Sequence, residues 1–306
     1  MNRIRRFFNQ NRRTIFVVII FIVFFIIIIQ LLNKQAEKSL KEQKAIANIQ
    51  TESKPNKSAI SGYETNENIY ATYKNIISNF VEYCNNKEVQ KAYELISTDC
   101  KEELYPTVQD FKESYYDKIF KNKRTFSMQN WDGQIYIVRY TEDILASGKV
   151  NGNTTIQDYV TIISENSQLK LNINSYIGKE MINKEENQNN IKIKIVKKRS
   201  YMDYEIYDFE VENNIGSTIL LDTLMYNDKI YLTDENKINH YFIANEITKE
   251  SLMVRNKYRN NISIKFDNPY ISDRKIKSVT FGEIAVYNAK NISEDLEKTI
   301  NYTIEI

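Results

Sequence analysis

The chain is poor in the residues on which common catalytic and metal sites depend. Its 306 residues include one His, two Cys, seven Gly and three Pro. So little Gly and Pro excludes collagen-like, mucin-like and Gly/Pro-rich low-complexity organisation. One His and two Cys are too few for the four ligands of a Cys/His zinc site. We therefore expect neither a metal nor another cofactor.

The sequence patterns of common enzymes are also missing. The chain contains no GxSxG, HExxH, GxxxxGK[ST] or GxGxxG pattern. The chain has one histidine, His240, so no second histidine could bind a metal ion together with it. We interpret His240 as an ordinary surface or edge residue. These absences predict a protein that is not an enzyme.

Positive charge is concentrated at the N-terminus. Residues 1–13 contain no acid and five basic residues, which are Arg3, Arg5, Arg6, Arg12 and Arg13. Without these five, 37 of the 42 Lys and Arg remain, against 40 Asp and Glu. A body with this balance does not offer the basic surface that nucleic acid requires, so we expect no nucleic-acid partner.

Residues 14–32, TIFVVIIFIVFFIIIIQLL, form an uncharged apolar run. As a helix this run would be roughly 28 Å long, which is close to the thickness of a hydrocarbon core. A cleaved signal peptide would have a shorter apolar region and a small-residue cleavage site, whereas NKQAEKSLKEQK follows here. We predict a single transmembrane helix that contacts the lipid bilayer. The Arg-rich end is expected in the cytoplasm and the C-terminus outside it.

Residues 33–66 are polar and are predicted to form a stalk and flexible linker. Two folded domains are predicted after it, over 67–180 and 191–306. The first begins with helical periodicity, in which a second helix covers 89–96 and a third follows Pro106, with Thr107 as its N-terminal cap. Its first helix carries an apolar stripe made of Ile69, Tyr73, Ile76, Ile77, Phe80 and Cys84.

Strand periodicity follows the helices of the first domain. Four strands are predicted, over 124–131, 134–145, 153–164 and 168–176. Asp-Gly and Asn-Gly dipeptides between them are typical of tight hairpin turns. We therefore predict an α+β fold, in which three helices pack on a curved antiparallel sheet. Residues 135–138 are apolar on both faces, so the face away from the helices needs a cover, such as the second domain or a second copy.

This order of elements, with KAYELISTDCKEELYPTVQDFK crossing from the second helix to the third, resembles the nuclear transport factor two-like fold. That fold is a cone of bent sheet closed by helices. It is used by isomerases, dehydratases, transport adaptors and extracytoplasmic subunits of conjugative and type IV secretion machines. The resemblance implies a setting in the cell envelope but does not choose an activity.

Residues 191–306 contain many short strands without helical periodicity, and this pattern predicts an all-β sandwich. The segments DFEVENNIGSTILLDTL and SVTFGEIAVYN are similar to immunoglobulin-like ectodomains of bacterial surface proteins. The resemblance implies a module that presents surface to partners or acts as a spacer.

Few side chains are candidates for chemistry. Tyr140, Asp143 and Asp158 lie on the middle predicted strands and would form an isomerase-like pocket if they faced into the cone, although such acids more often point outward. Cys84 and Cys100 flank two predicted antiparallel helices, and they form either a disulfide or two buried free thiols. The basic run at 192–199 is either a polyanion site or the solvated face of an amphipathic strand.

The leading functional hypothesis is a non-catalytic, single-pass membrane protein with two extracytoplasmic interaction modules. It would be an assembly or scaffold subunit of a secretion- or conjugation-type envelope complex. Its partners would be other envelope proteins or a second copy, bound through the apolar sheet face and strand edges. The alternative is a module that binds a small molecule or wall polymer in the cone, and an isomerase-like enzyme is the minor alternative.

Overall fold

The computed structural model of the protein describes residues 54–143, 155–223, 228–287 and 296–306. Strands make up most of the regular structure in these ranges. The longer helical segments come first in the chain, and almost all of the strands follow them.

Helix α1 (Glu67–Asn85) confirms the first apolar stripe from Ile76 onward, whereas Ile69 is 48% exposed and Tyr73 is half-buried. Its N-terminus is capped by Asn66, whose side chain accepts a hydrogen bond from the backbone N–H of Asn68. The buried side chains recur at helical spacing and face the interior. They are Ile76, Ile77, Phe80, Val81 and Cys84.

The second helix, predicted over 89–96, ends two residues earlier, and a helix that the sequence does not predict follows it. Helix α2 (Val89–Glu94) stops before Ile96, and α3 (Thr98–Leu104) starts after Ser97, whose side chain caps it. Ile96 is fully buried and forms a parallel bridge with Leu171. The chain leaves the helical conformation here because Ile96 packs against a distant strand.

The last helical segment runs without interruption but changes its type. Helix α4 (Val108–Phe111) continues through a π-helical turn (Lys112–Tyr116) into α5 (Asp117–Ile119). Thr107 caps its start, as predicted, in a reciprocal capping box with Asp110.

Strands β1 (Arg124–Asp132), β2 (Ile135–Glu142), β3 (Thr155–Glu165) and β4 (Gln168–Asn172) form a four-stranded antiparallel sheet, here named sheet I. The turn between β1 and β2 contains Gly133 at a φ of 53°, the positive value that an Asp-Gly turn predicts. The predicted Asn-Gly turn between β2 and β3 lies outside the described residues.

The helices pack on sheet I through an aromatic core. The ring of Phe80 lies 6.1–6.3 Å, centroid to centroid, from the rings of Phe111, Tyr115 and Phe120. Such contacts add to the stabilisation from burial, and they fill the space between the helices and the sheet.

Part of the predicted linker is folded against an edge of sheet I. The backbone N–H of Asn130 donates to the carbonyl of Pro55 at 2.9 Å, and the N–H of Ala59 donates to the carbonyl of Asn130 at 3.1 Å. Asn56 and Ser58 are buried. This segment therefore satisfies backbone groups that the edge of β1 would otherwise leave open.

Strands β5 (Tyr176–Gln188), β6 (Ile191–Tyr201) and β7 (Glu205–Asn213) form sheet II together with β12 (Arg259–Phe266). The strand order in this antiparallel sheet is β12-β7-β6-β5. The long hairpin of β5 and β6 includes residues 181–190, which the sequence places between two domains.

Six strands form sheet III, in which β13 is central and pairs with β9, β8 and β14. They are β8 (Thr218–Leu220), β9 (Ile230–Asp234), β10 (Asn239–Tyr241), β11 (Met253–Val254), β13 (Ile276–Tyr287) and β14 (Leu296–Glu305). A 3₁₀ turn and helix α6 (Lys249–Leu252) lie between β10 and β11, where the sequence predicts strands. Buried side chains of sheets II and III form one hydrophobic cluster.

The predicted fold class is wrong. The helical region is not three helices, because the unpredicted helix α3 follows α2, and the first helix is followed only by short segments. The all-β part does not begin at residue 191 as a separate sandwich, since sheet II already includes β5 from Tyr176 onward. Residues 55–306 instead belong to one compact, mostly β unit.

The predicted membrane-spanning element is not part of the described fold. Among the helices in the described ranges, none is long and apolar enough to cross a membrane. Residues 14–32 lie outside those ranges, as do the arginines that would set their orientation, Arg3, Arg5, Arg6, Arg12 and Arg13. The single-pass, signal-anchored membrane class is thus not what the structure shows. The bilayer contact and the localisation stay predictions.

Candidate functional site

Two of the three residues predicted for a polar pocket come together inside the helical half. Asp158 on β3 is buried, and its carboxylate accepts a hydrogen bond of 2.7 Å from the hydroxyl of Tyr115. The hydroxyl of Tyr115 lies 3.4 Å from that of Tyr140. The sequence marks Tyr115 only as a member of an apolar helical stripe, because its polar partner lies 43 residues away.

The carboxylate of Asp158 also holds the turn between β4 and β5. It accepts hydrogen bonds from the backbone N–H groups of Asn174 and Ser175, each at 2.9 Å. Both residues have a φ of 60°, a left-handed conformation that a side-chain acceptor helps to stabilise. The position of Asp158 therefore has a structural reason.

Burial raises the pKa values of all three side chains in this cluster. Desolvation raises the pKa of Asp158, and the backbone N–H groups and the Tyr115 hydroxyl act against it. Burial also holds the pKa values of Tyr115 and Tyr140 well above the ordinary value. These three side chains are 5% exposed or less, so a substrate would reach them only by displacing the aromatic core.

Asp143, the third predicted pocket residue, does not join the cluster. It follows β2 and is half-buried, and its backbone N–H donates to the carbonyl of Lys123 at 2.9 Å. The strand partner of Asp158 is Val138, which lies five positions before Asp143 in the chain. The predicted set is thus brought together only in part.

Cys84 and Cys100 are two free, buried thiols rather than a disulfide. They lie in α1 and α3, within the same aromatic core. Burial raises the pKa of both thiols, that of Cys100 to about 12. A thiol with a raised pKa is a poor nucleophile and a poor metal ligand, so the pair offers no reactive centre.

The basic run at 192–199 is largely neutralised by ion pairs. Lys192 lies 2.8 Å from Glu185, and Arg199 donates to the carboxylates of both Glu103 and Asp208. Only 15% of the Arg199 side chain is exposed. Arg199 thus joins α3 to sheet II, and the run is not an open site for a polyanion.

His240 also has a structural partner. Its Nε2 atom lies 3.2 Å from Oδ2 of Asp234, whose Oδ1 accepts hydrogen bonds from the N–H groups of Asn236 and Ile238. The bond from Ile238 is the main cause of the lowered pKa of Asp234, and His240 adds to it. The pair holds the turn between β9 and β10.

The apolar face predicted for partner binding is filled by the chain itself. Ile135 and Ile137 point to the side of sheet I opposite the helices, yet both are buried. Loop residues 202 and 270, joined by a backbone hydrogen bond of 2.9 Å, come from the second half of the chain. Binding of an envelope protein or a second copy through this face stays a prediction.

A cleft of 530 Å³ opens between the start of β5 and the start of β13. This volume is within the range of ligand sites in proteins. Five basic and two acidic residues line it, and these are Lys179, Lys198, Arg274, Lys275, Lys277, Glu180 and Glu205. Five isoleucines also line it, and these are Ile177, Ile182, Ile271, Ile276 and Ile306. We name it the basic cleft.

Hydrogen bonds fix the floor of the basic cleft. Glu205 is buried, and its carboxylate accepts hydrogen bonds from the hydroxyl of Ser200 at 3.0 Å and the amide of Asn268 at 2.8 Å. Arg274 in turn donates to the side-chain oxygen of Asn268 and to the carbonyl of Pro269. The Glu205 charge is therefore already engaged within the protein.

The rim of the basic cleft carries free positive charge. Lys275 and Lys277 are exposed, and their ammonium groups have no ion-pair partner among the residues that the structure describes. Lys179, by contrast, pairs with Asp99 at 2.9 Å and Glu102 at 3.1 Å of α3. Three basic residues within four positions, Arg274, Lys275 and Lys277, are the signal from which the sequence could have indicated this rim.

Two strand edges flank the basic cleft. Within the described ranges, β5 pairs with β6 alone, and β14 pairs with β13 alone. The two edges approach each other away from the cleft, where the Gln188 side chain donates to the carbonyl of Thr303 at 2.9 Å. There the Tyr302 hydroxyl also donates to the carbonyl of Glu186 at 2.6 Å. Side-chain bonds thus take the place of a backbone ladder between these strands.

The candidate functional residues lie in two places that differ in their access to solvent. One is the closed cluster of Tyr115, Tyr140 and Asp158, and the other is the open basic cleft. Comparison of the chain with protein-family models, with curated proteins and with solved structures finds no match.

Proposed function

We propose that the protein is a non-catalytic interaction module, which contributes one part of a larger protein assembly. The observation that carries this proposal is the basic cleft, which is open to solvent and is bordered by Lys275 and Lys277, two exposed lysines without an ion-pair partner among the described residues. Exposed charge beside apolar side chains offers a surface that a partner of complementary charge can recognise.

The closed Tyr–Asp cluster argues against the enzymatic and small-molecule alternatives. A nuclear transport factor two-like enzyme would use a pocket inside the cone, where an acid and a tyrosine meet the substrate. Here the carboxylate of Asp158 is used to hold backbone N–H groups, and aromatic rings fill the space above it. The interior therefore favours a structural role for these residues.

The sequence resemblance to extracytoplasmic secretion subunits supports a more specific version of the proposal. In this version the assembly is a conjugation- or secretion-type complex of the cell envelope. The mechanism is geometric, since the folded unit supplies a shaped, charged surface and the partner supplies the complementary one. No bond-forming step is needed.

Site-specific photo-crosslinking of the full chain in its native cells tests the proposal. A photoreactive residue at Ile271, which is 52% exposed at the rim, should give a discrete adduct with one protein that mass spectrometry identifies. The matched control is Tyr258, which is 62% exposed and lies at the other end of sheet II, beside Asn213. No adduct from Ile271, or the same adducts from both positions, would contradict the proposal.

A further inference from the structure

We propose that a hollow beside β10 binds a ring of a neutral oligosaccharide. The hollow has a volume of 480 Å³ and lies between β10, the 3₁₀ turn that follows it (Ala244–Glu246) and the end of β12. We name it the tyrosine hollow. Its volume is within the range of ligand sites in proteins. This inference goes beyond the proposed function and does not rest on it.

Backbone hydrogen bonds hold the two walls of the tyrosine hollow together. The N–H of Asp267 donates to the carbonyl of Tyr241 at 2.9 Å, and the N–H of Ile243 donates to the carbonyl of Lys265 at 2.8 Å. Phe242, which lies between these two bonds, is buried. The shape of the hollow is therefore set by the fold, so a ligand would meet walls that are already in place.

An aromatic ring is exposed at the tyrosine hollow. Tyr241 is 41% exposed. Its strand partner is Tyr231 of β9, whose ring lies 5.8 Å away, centroid to centroid, at an angle of 64°. This edge contact restricts the orientation of the Tyr241 ring. The C–H groups on one side of a sugar ring are apolar and carry slight positive charge, so they stack on the negative face of such a ring.

Polar side chains around the ring are free to bind hydroxyl groups. The side-chain oxygen of Asn239 accepts a hydrogen bond of 3.0 Å from Thr233, which leaves its NH₂ group to donate. Asn245 and Asp267 are exposed, and their side chains have no hydrogen-bond or ion-pair partner in the described part of the chain. Amides and carboxylates can each bind two neighbouring hydroxyls, which is the pattern that a sugar ring presents.

The charge of the tyrosine hollow favours an uncharged ligand. In contrast to the basic cleft, it has no lysine or arginine among the described residues that line it. Its histidine, His240, already pairs with Asp234. A phosphorylated or sulfated ligand would meet the carboxylate of Asp267 without a cation to balance it. A quaternary ammonium ligand prefers a cage of several rings, whereas Tyr241 is the one exposed ring among these lining residues.

An oligosaccharide array probed with the purified full chain tests the inference. The array carries neutral oligosaccharides of glucose, galactose, mannose and N-acetylhexosamines, and we expect binding to at least one of them. Isothermal titration calorimetry with the best-bound oligosaccharide should give saturable binding, with a dissociation constant of about 1 mM for a single bound ring. Absence of binding to every neutral oligosaccharide on the array would overturn the inference.

Substitutions of Tyr241 test the stacking contact. Tyr241→Ala should weaken sugar binding by about tenfold, because the exposed ring is lost. Tyr241→Phe keeps the ring, so its affinity should stay within about twofold of the wild type. The matched control is Tyr258→Ala, which removes a tyrosine that is 62% exposed outside the hollow, and it should bind like the wild type. Unchanged binding in Tyr241→Ala, or an equal loss in Tyr258→Ala, contradicts the proposed site.

A charged ligand and a folding defect can both be recognised. Tetramethylammonium should not compete with the oligosaccharide, and strong competition would mean a cation site and overturn the inference. Asp267→Asn keeps one acceptor oxygen, so we expect a loss of about two- to fivefold. Circular dichroism checks the fold of each variant. Crosslinking from Ile271 tests the proposed function separately, since that residue does not line the tyrosine hollow.

Discussion

Truncation of Asp158 is the sharpest test of its structural role. In Asp158→Ala three hydrogen-bond donors lose their carboxylate acceptor. The N–H of Asn174 is then left without an acceptor. The N–H of Ser175 keeps the carbonyl of Tyr159 at 3.2 Å, and the hydroxyl of Tyr115 keeps the hydroxyl of Tyr140 at 3.4 Å. The substitution therefore leaves one donor unsatisfied and two donors with a single, weaker hydrogen bond each.

The expected loss follows from these contacts. A buried donor without an acceptor costs about 1–3 kcal/mol, and each weakened bond adds a fraction of that amount. Removal of a desolvated carboxylate returns part of the cost, since its burial is unfavourable when it is charged. We expect Asp158→Ala to lower the free energy of unfolding by about 2–3 kcal/mol. Asp158→Asn keeps one acceptor oxygen and the side-chain shape, so about 1 kcal/mol is expected.

Equilibrium unfolding in urea, followed by fluorescence of the single tryptophan, Trp131, measures these differences. Trp131 is a suitable reporter because it lies on sheet I, where its ring meets Tyr159 at 5.5 Å. The control is Asp273→Ala, an exposed site where a change within about 0.5 kcal/mol is expected. A loss in Asp158→Ala no larger than in this control would refute the structural role.

Three other predictions concern the pKa of Asp158, the two cysteine thiols and the ion pairs of Arg199. Because burial raises the pKa of Asp158 above its unfolded value of about 3.9, the folded state holds this proton more tightly. The unfolding free energy of the wild type minus that of Asp158→Asn should then fall as pH rises from about 4 through the folded pKa, and a flat difference would contradict this. Cys84 and Cys100 should not react with a thiol reagent in native protein but should both react in urea, since both are buried and free; rapid native labelling would count against their burial. Arg199→Ala removes the guanidinium that bridges the carboxylates of Glu103 and Asp208 and leaves Lys197, at 3.9 Å and 3.5 Å, as the cation near both. Its urea midpoint should fall by the equivalent of about 1–2 kcal/mol, and a double-mutant cycle of Arg199→Ala with Glu103→Ala should show coupling between the two residues.

The features predicted correctly are those that depend on neighbours in the chain. The cap at Thr107, most of the stripe of α1 and the positive φ of Gly133 each involve residues within a few positions of one another. Local preferences and spacing determine such features, so the sequence shows them directly. The same holds for most strands, whose alternating burial is a property of one segment.

The errors involve contacts between distant segments. Helix α2 stops before Ile96 because Ile96 forms a β-bridge with Leu171. The hydroxyl of Ser97 donates a hydrogen bond to the side-chain oxygen of Asn172, which lies 75 residues away. The sequence places residues 181–190 between two domains because they are polar and charged. Pairing with β6 makes most of this segment the second half of β5 and part of sheet II. Local patterns do not identify such partners.

The candidate sites differ in how far the sequence could indicate them. The sequence shows Tyr140 and Asp158 as a tyrosine and an acid on neighbouring strands. It does not show that Asp158 accepts hydrogen bonds from the Tyr115 hydroxyl and from the backbone of a turn. The basic cleft depends on β5, β13 and a loop that are far apart in the chain. Its lysines stand out only when the structure shows which basic residues are already paired.

By itself the sequence determined the sparse His and Cys content, the acidic balance of the chain beyond residue 13, the local caps and turns, and the existence of most strands. Only the tertiary structure decided that Asp158 is a buried turn acceptor, that Arg199 is neutralised, and that Lys275 and Lys277 border an open cleft. The physical reason is that composition and period-based preferences are properties of short segments, whereas burial and charge pairing depend on which segments meet.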